Sequence, residues 1–234
     1  MGNAILEVIA TSVTDAIEAQ KGGAKRLEVV RDLDRGGLTP SIELVRVIKE
    51  AVDLPLRVMV RESEGYAVSG EPEVEKLCAA ARNFDELGVD GLVMGFLRNG
   101  SIDVDLTTRV LAAAPRSKVT FHHAFDEAVD QLHALTQLKK LSQVDRILSS
   151  GGSGEWELRQ QRIGHYACVA TPEITIIAGG GIDVAAISLV KRTTTISEFH
   201  VGRAARRGFQ VTGEVQAELV RELVEATKDN EDPG

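Results

Sequence analysis

Side chains able to do chemistry are concentrated in Thr120-Phe121-His122-His123-Ala124-Phe125-Asp126, where a β-branched, aromatic run ends in two histidines and an aspartate. Imidazole is the group readiest to move a proton or hold a metal near neutral pH. A helical pattern follows, from about Asp130 to Leu141. The cluster therefore sits where a strand gives way to a loop before a helix, which is where parallel α/β proteins assemble their sites. A lone histidine there could be no more than a polar strand end. The charges on the other predicted strands argue otherwise.

Those strands alternate charge with aliphatics. Glu7 lies between Leu6 and Val8, and Glu28 between Leu27 and Val29. Period two turns both glutamates to one face and the aliphatics to the other. By the same rule Arg57 and Arg61 share a face, Thr120 pairs with His122, Arg146 opposes Ile147, and Glu198 goes with His200. The aliphatic face must meet a dry helix layer, so the polar face turns to a common axis. That interior is expected to hold Glu7, Glu28 and Glu198 against Arg57, Arg61 and Arg146, with His122 and His200 among them. Parallel strands end in their polar loops, so Arg61, His122 and His200 are expected nearest the mouth. Arg57 and Arg146, early in their strands, read as structural partners. Buried charges are costly unless paired, and a structural ion-pair network competes with a ligand site as the explanation.

Three glycine-rich turns follow the later strands: Ser149-Ser150-Gly151-Gly152, Ala178-Gly179-Gly180-Gly181-Ile182, and Val201-Gly202-Arg203. Glycine lets backbone N–H groups approach an anion, and an arginine adds a charged fork. Ser150, Gly151, Gly179, Gly180, Gly181, Gly202 and Arg203 are thus candidate anion-binding residues. Plain conformational need is the competing account of such turns.

The elements that must position these groups are eight short strands alternating with about eight helical segments. The strands are Ile5–Ile9, Arg26–Val30, Leu56–Val60, Gly91–Met94, Lys118 onward, Asp145–Leu148, Ile174–Ala178 and Glu198–Val201. Thr11 or Ser12 can cap the first helix and Gly22-Gly23 stop it, Ser41 opens the second, and a final helix spans about Gly213 to Thr227. Strict alternation over 234 residues predicts one α/β domain, residues 1–228, folded as a (β/α)₈ barrel. An open doubly wound sheet is the alternative. Residues 229–234 read as a polar tail.

A net charge of −8 argues against nucleic acid as a partner. No apolar run approaches the roughly 20 residues of a membrane span, and no signal peptide is expected at the N-terminus. Cys78 and Cys168 are far apart on predicted helices, which fits a reducing cytoplasm. Both are expected to be small buried hydrophobes.

The motifs resemble those of the CutC-like copper-homeostasis proteins over nearly the whole chain. Leu6-Glu7-Val8 and Leu27-Glu28-Val29 are similar to that family's first strands, and Gly36-Gly37-Leu38-Thr39-Pro40-Ser41 to its most distinctive loop. Arg61 falls at the family's first arginine after the third strand. Thr120 to Asp126 matches a T-F-H-R-A-F-D motif with His123 in place of arginine, and Ser150-Gly151, Ala178 to Gly181, Glu198 and His200 continue the pattern. The resemblance implies a cytoplasmic, homo-oligomeric TIM barrel associated with copper handling and copper ion binding. It departs at Ile9 and Val30, where many members carry cysteine, and at Arg61-Glu62-Ser63-Glu64, where the family loop is arginine-rich. Cu(I) prefers soft sulfur ligands, so the copper cofactor that the resemblance implies is expected to bind weakly here.

Two functions compete. One is a metal-independent lyase or isomerase transferring a proton on a small anionic metabolite, phosphorylated or not. Its candidate catalytic set is Glu7, Glu28, Arg61, His122, Asp126 and His200, with His122 or Glu28 as base and Arg61 as clamp. The other is a metal-binding homeostasis protein using His122 and His200 with nearby carboxylates, a set suited to Cu(II) or Zn(II). Adjacent histidines on a strand point to opposite faces, so His122 and His123 share a site only if the strand ends before His123. A pure interaction scaffold leaves the polar interior unexplained.

Overall fold

The computed structural model describes residues 4–228. Eight parallel strands close into a barrel: β1 (Ile5–Ala10), β2 (Arg26–Val29), β3 (Leu56–Met59), β4 (Gly91–Met94), β7 (Lys118–Phe121), β8 (Val144–Ser149), β9 (Thr175–Ala178) and β10 (Glu198–Val201), which returns to pair with β1. The helices are α1 (Val13–Gly22), α2 (Ile42–Ala51), α3 (Glu71–Leu87), α4 (Val104–Ala113), α5 (Gln131–Leu138), α6 (Trp156–Ala170), α7 (Val184–Thr193) and α8 (Ala217–Ala226). The open-sheet alternative is excluded. No helix among the described residues is long and apolar enough to cross a membrane. The polar tail at 229–234 lies outside the described residues.

Local chemistry sets the boundaries. The Ser12 hydroxyl caps α1 by accepting the Asp15 amide, and Gly23 closes the helix at φ 96°, a conformation that favours glycine. Ser41, Asp103, Asp130 and Asp183 cap α2, α4, α5 and α7 in the same way as Ser12. The last helix starts at Ala217 rather than near Gly213. Val215 is held extended by a bridge to Arg206, and its amide donates to Asp15 Oδ1 at 3.0 Å. An unexpected hairpin, β5 (Leu97–Arg98) with β6 (Ser101–Ile102), turns at Asn99-Gly100, where both φ values are positive.

Strand parity divides the core as expected. Leu6, Val8, Leu27, Val29, Val58, Leu92, Phe121, Ile147, Ile176 and Phe199 pack outward into one continuous core beneath the helices. Ile9, Val30, Met59 and Val93 form a small separate cluster; each lies two residues beyond an axis-facing position (Glu7, Glu28, Arg57 and Gly91) and shares its parity, so they point toward the axis. Between these apolar groups the axis carries charge. Cys168 is exposed on α6 and Cys78 only partly buried on α3, a correction to the expectation that both would be buried: each lies on the outer helix layer.

Candidate functional site

Charge along the axis is arranged in two tiers. In the lower tier, Arg57 forks onto Asp145, with both N–O distances 2.9 Å. Arg146 bonds Asp145 and reaches Glu198 Oε2 at 2.9 Å. Arg26 reaches Glu198 Oε2 at 2.6 Å through Nη2, and its Nε donates to Glu7. Arg57 and Arg146 are structural partners, as expected. Arg26 was not expected in this network, although it shares parity with Glu28. Asp145 was not expected either, because it alternates with Arg146. A register irregularity between β7 and β8 at Val119/Thr120 breaks simple alternation there.

The upper tier is sparser. Glu7 Oε1 lies 2.7 Å from His200 Nδ1, and His200 Nε2 lies 3.2 Å from Glu28 Oε2. All three residues are buried. Burial opposes ionisation of Glu7, but the Arg26 guanidinium and the bond to His200 outweigh it and hold this carboxyl well below its usual range. Glu28 has no guanidinium in contact among the described residues. Burial pushes its carboxyl up to about 7, against the pull of His200 and with the neighbouring Glu7 adding to the rise. Burial also opposes the charge of His200, yet Glu28 and Glu7 on either side raise it above its ordinary value. The imidazole is thus held between a committed carboxylate and one poised to titrate.

Above this pair opens a cavity of about 390 Å³, within the usual size range of small-ligand sites. Glu28, Arg61, His122, His200, Gly180, Gly181, Gly202 and Arg203 all line it, and Ile9, Val30 and Met59 supply apolar wall. Glu7, Asp126, Ser150, Gly151 and Gly179 do not. Glu7 sits beneath the cavity as the anchor of His200. Asp126 is held behind the wall, accepting from Ser149 Oγ at 2.6 Å and the Ser150 amide at 2.7 Å. Gly179 is needed for space: a Cβ there would lie 2.6 Å from Leu148 Cδ1.

Arg61 does not oppose the glutamates on the axis. Its guanidinium donates to the carbonyls of Gly36 at 3.0 Å, Gly37 at 3.3 Å and Gly65 at 3.1 Å, and its carbon lies 5.2 Å from the Tyr66 ring centre. It meets no carboxylate among the described residues, so a cation faces the cavity unbalanced.

β7 ends at Phe121, and the chain then winds into a short 3₁₀ turn, His123–Phe125. Both histidines therefore line the cavity, which unbroken strand alternation would forbid. His122 Nδ1 accepts the Ala124 amide at 3.2 Å, so the proton sits on Nε2, which has no hydrogen-bond partner. Burial, with Arg61 and His123 nearby, pushes His122 down to about 3; it is a neutral N–H donor, not a base. Gly95 makes room for this ring, since a Cβ there would lie 2.6 Å from Nδ1. His123 Nδ1 pairs with Asp126 Oδ2 at 3.0 Å, leaving its Nε2 free.

Among the described residues, Glu7, Glu28 and His200 form the cluster whose donor atoms lie within 4.8 Å of one another. His122 is not part of it, so His122 and His200 do not meet as a metal pair. Two carboxylates and an imidazole are a hard to borderline set, and Met59 is the sulfur that lines the cavity. Cys78 and Cys168 lie on α3 and α6, outside it. The residues present do not fit Cu(I), which wants a soft ligand set.

Fold and site together define a TIM barrel with a cavity lined by charged and apolar groups at the C-terminal mouth. The sequence profile of the CutC family matches residues 4–205, and the chain belongs to that family. It is 34% identical over 207 residues to a CutC family protein of Xylella fastidiosa, covering 86% of this chain and 77% of that one. It is 33% identical over 204 residues to the copper homeostasis protein cutC homolog of Homo sapiens, covering 87% and 74% respectively. The crystal structure of CutC from Streptococcus agalactiae superposes with a TM-score of 0.78 at 27% identity, covering 84% of this chain and 97% of that one.

Proposed function

We propose that the barrel mouth binds a small anionic metabolite and that Glu28 exchanges a proton with it, in a lyase or isomerase reaction. One observation carries this reading: a buried carboxyl on the cavity wall, with His200 as its one polar side-chain partner among the described residues and held at about 7. A group so placed can both take and return a proton near neutral pH, which is what general acid–base catalysis requires. His200 Nε2 is the inner proton partner, and Glu7 fixes the imidazole from its other nitrogen. The Nε2–H of neutral His122 supports charge developing on a substrate oxygen, and Arg61 attracts the anion.

A second reading has the Glu7–Glu28–His200 cluster hold a divalent cation. It is weaker because Glu7 is already bonded to Arg26 and both nitrogens of His200 face carboxylates. The copper-homeostasis role in the human relative's name would then reach this chain through Cu(II) or another borderline ion. Action in the cytoplasm fits the two free thiols, and homo-oligomeric assembly belongs to the same family-based reading.

The test is a melting-temperature screen of small carboxylates and phosphate esters, followed by NMR of each stabilising ligand in D₂O with the protein. Exchange of one carbon-bound proton with wild type and its loss with Glu28→Gln is the expected result. Ligands that bind without exchange, or exchange that survives Glu28→Gln, would remove the proposed role.

A further inference from the structure

The rim beyond Glu28 carries a second unbalanced cation. Arg203 lines the cavity and is exposed, and it meets no carboxylate, carbonyl or hydroxyl among the described residues. In a chain of net charge −8, a guanidinium left free at a cavity wall, when Arg26, Arg57 and Arg146 on the axis are all paired with carboxylates, is a place for an anion.

The neighbouring backbone is set for the same ligand. Arg159, on α6 behind the wall, donates from Nη2 to the carbonyls of Gly179 at 3.2 Å and Gly180 at 2.7 Å, and from Nε to the Ser150 carbonyl at 2.6 Å. Its guanidinium is braced 3.7 Å from the Trp156 ring centre. In a trans peptide the N–H points opposite the preceding C=O. Pinning the Gly179 and Gly180 carbonyls to Arg159 therefore turns the Gly180 and Gly181 amides the other way, to the side where both residues line the cavity. Neither amide has an acceptor among the described residues, and with Gly180 half-buried and Gly181 exposed both are open to a ligand at the rim. The φ values of 76° and 80° at these positions require glycine. A Cβ on Gly181 would lie 3.2 Å from Arg203 Nη2, and one on Gly180 would lie 3.3 Å from His123 Cε1. Gly180, Gly181, Arg203 and His123 thus lie together on the rim.

We propose that this cradle holds the phosphate group of a phosphate monoester substrate, with Arg159 as the positioning residue that aims the amides. This names the anion of the metabolite proposed above and rests on that reading only for the reacting end. Backbone amides, a planar guanidinium and an imidazole approach from different directions, which suits three tetrahedral phosphoryl oxygens better than the two coplanar oxygens of a carboxylate. Phosphate at the rim leaves the carbon skeleton over the apolar wall, directed to Glu28 and His200.

Inorganic phosphate is the probe, titrated at constant ionic strength by calorimetry and by ¹⁵N amide shifts, with acetate as comparison. Phosphate should shift the Gly180 and Gly181 amides, and acetate should bind at least several-fold more weakly. Arg203→Gln should weaken phosphate on the order of tenfold, the size of one charge-assisted contact. Arg221→Gln, which removes the same charge from the exposed face of α8, should change it little. Arg159→Met should silence the glycine amide response while phosphate-independent shifts elsewhere stay native, and Arg159→Lys should restore part of it. Glu28→Gln should leave phosphate binding intact, so that this site and the proton-transfer role can fail separately. Phosphate that shifts other amides, binds no better than acetate, or ignores Arg203→Gln is an adventitious ion only, and the proposal falls.

Discussion

Replacing Glu28 by glutamine should stabilise the protein, and more so as pH rises. The carboxyl is buried, has His200 as its one polar side-chain partner among the described residues, and is held at about 7 against an ordinary 4.5. Between those values the folded carboxyl keeps a proton that the unfolded one has lost. Stability therefore falls as pH rises across this window, and above about 7 the full cost is present. That cost is about 3 kcal/mol for an acid raised this far. Glutamine keeps the volume, and its amide can still donate to His200 Nε2, but it has no charge to bury. Chemical denaturation near pH 5 and near pH 8 should show Glu28→Gln gaining about 2 kcal/mol on wild type between the two conditions. A gain of that size raises the melting temperature by roughly 4–8 °C in a chain of this length. Glu7→Gln is the contrast, since it removes the buried negative charge facing Arg26 and puts an NH₂ where one of the two donors, Arg26 Nε or His200 Nδ1, now has an acceptor. It should cost on the order of 3–5 kcal/mol. If Glu28→Gln costs as much as Glu7→Gln, or its effect is the same near pH 5 and pH 8, then Glu28 is a committed ion-pair partner and the proton-transfer role loses its basis.

Copper binding should be weak: titrating reduced protein with Cu(I) against a competing chelator should show no tight stoichiometric site, and Cys78→Ser with Cys168→Ser should change nothing. Tight binding that survives both changes would mean that Met59 and the imidazoles make a softer site than their types suggest. His122 should stay neutral with its proton on Nε2 from pH 8 down to about 4, because burial holds it at about 3; ¹⁵N spectra of the imidazoles read both points. A protonated His122 near pH 6 would contradict the donor role assigned to it.

Parity made most of this site legible. One rule, that alternate residues of a strand share a face, is enough to place Glu7, Glu28, His122, Glu198 and His200 on the axis from the sequence alone, and the aliphatics between them in the outer core. The rule fails where strands stop. Arg61 lies past the end of β3, so loop carbonyls rather than strand direction decide where its guanidinium goes. His123 lies past the end of β7, and the 3₁₀ turn carries it to the cavity. Asp126 is drawn behind the wall by Ser149 and the Ser150 amide, contacts that no spacing announces. Arg26 obeys the rule and is readable from its place two residues before Glu28. The hairpin at Asn99-Gly100 has its turn signal, but arms of two residues show no alternation to count.

The two tiers of the axis explain how one carboxyl escapes neutralisation. Along the lower tier, carboxylates and guanidiniums alternate without a gap: Arg57 to Asp145, Arg146 to Glu198, Arg26 to Glu7. The series ends at Glu7, which passes its remaining oxygen to His200. One register higher, Glu28 receives only the far nitrogen of that same imidazole. A further guanidinium would have fixed Glu28 as a permanent anion, and Arg61, which shares its strand face with Arg57, is the residue that parity would nominate. The carbonyls of Gly36, Gly37 and Gly65 draw Arg61 to the rim instead. The Gly36-Gly37 loop thus acts on the pKa of Glu28 without touching it. Arg61→Met should leave Glu28 still titrating near 7, since the arginine contributes nothing to its neutralisation, while an arginine introduced at Met59, on the cavity wall beside Glu28, should lower that pKa by at least about one unit. An unchanged Glu28 in Met59→Arg, followed by ¹³C NMR of its carboxyl, would show that burial alone governs it and that the missing cation is irrelevant.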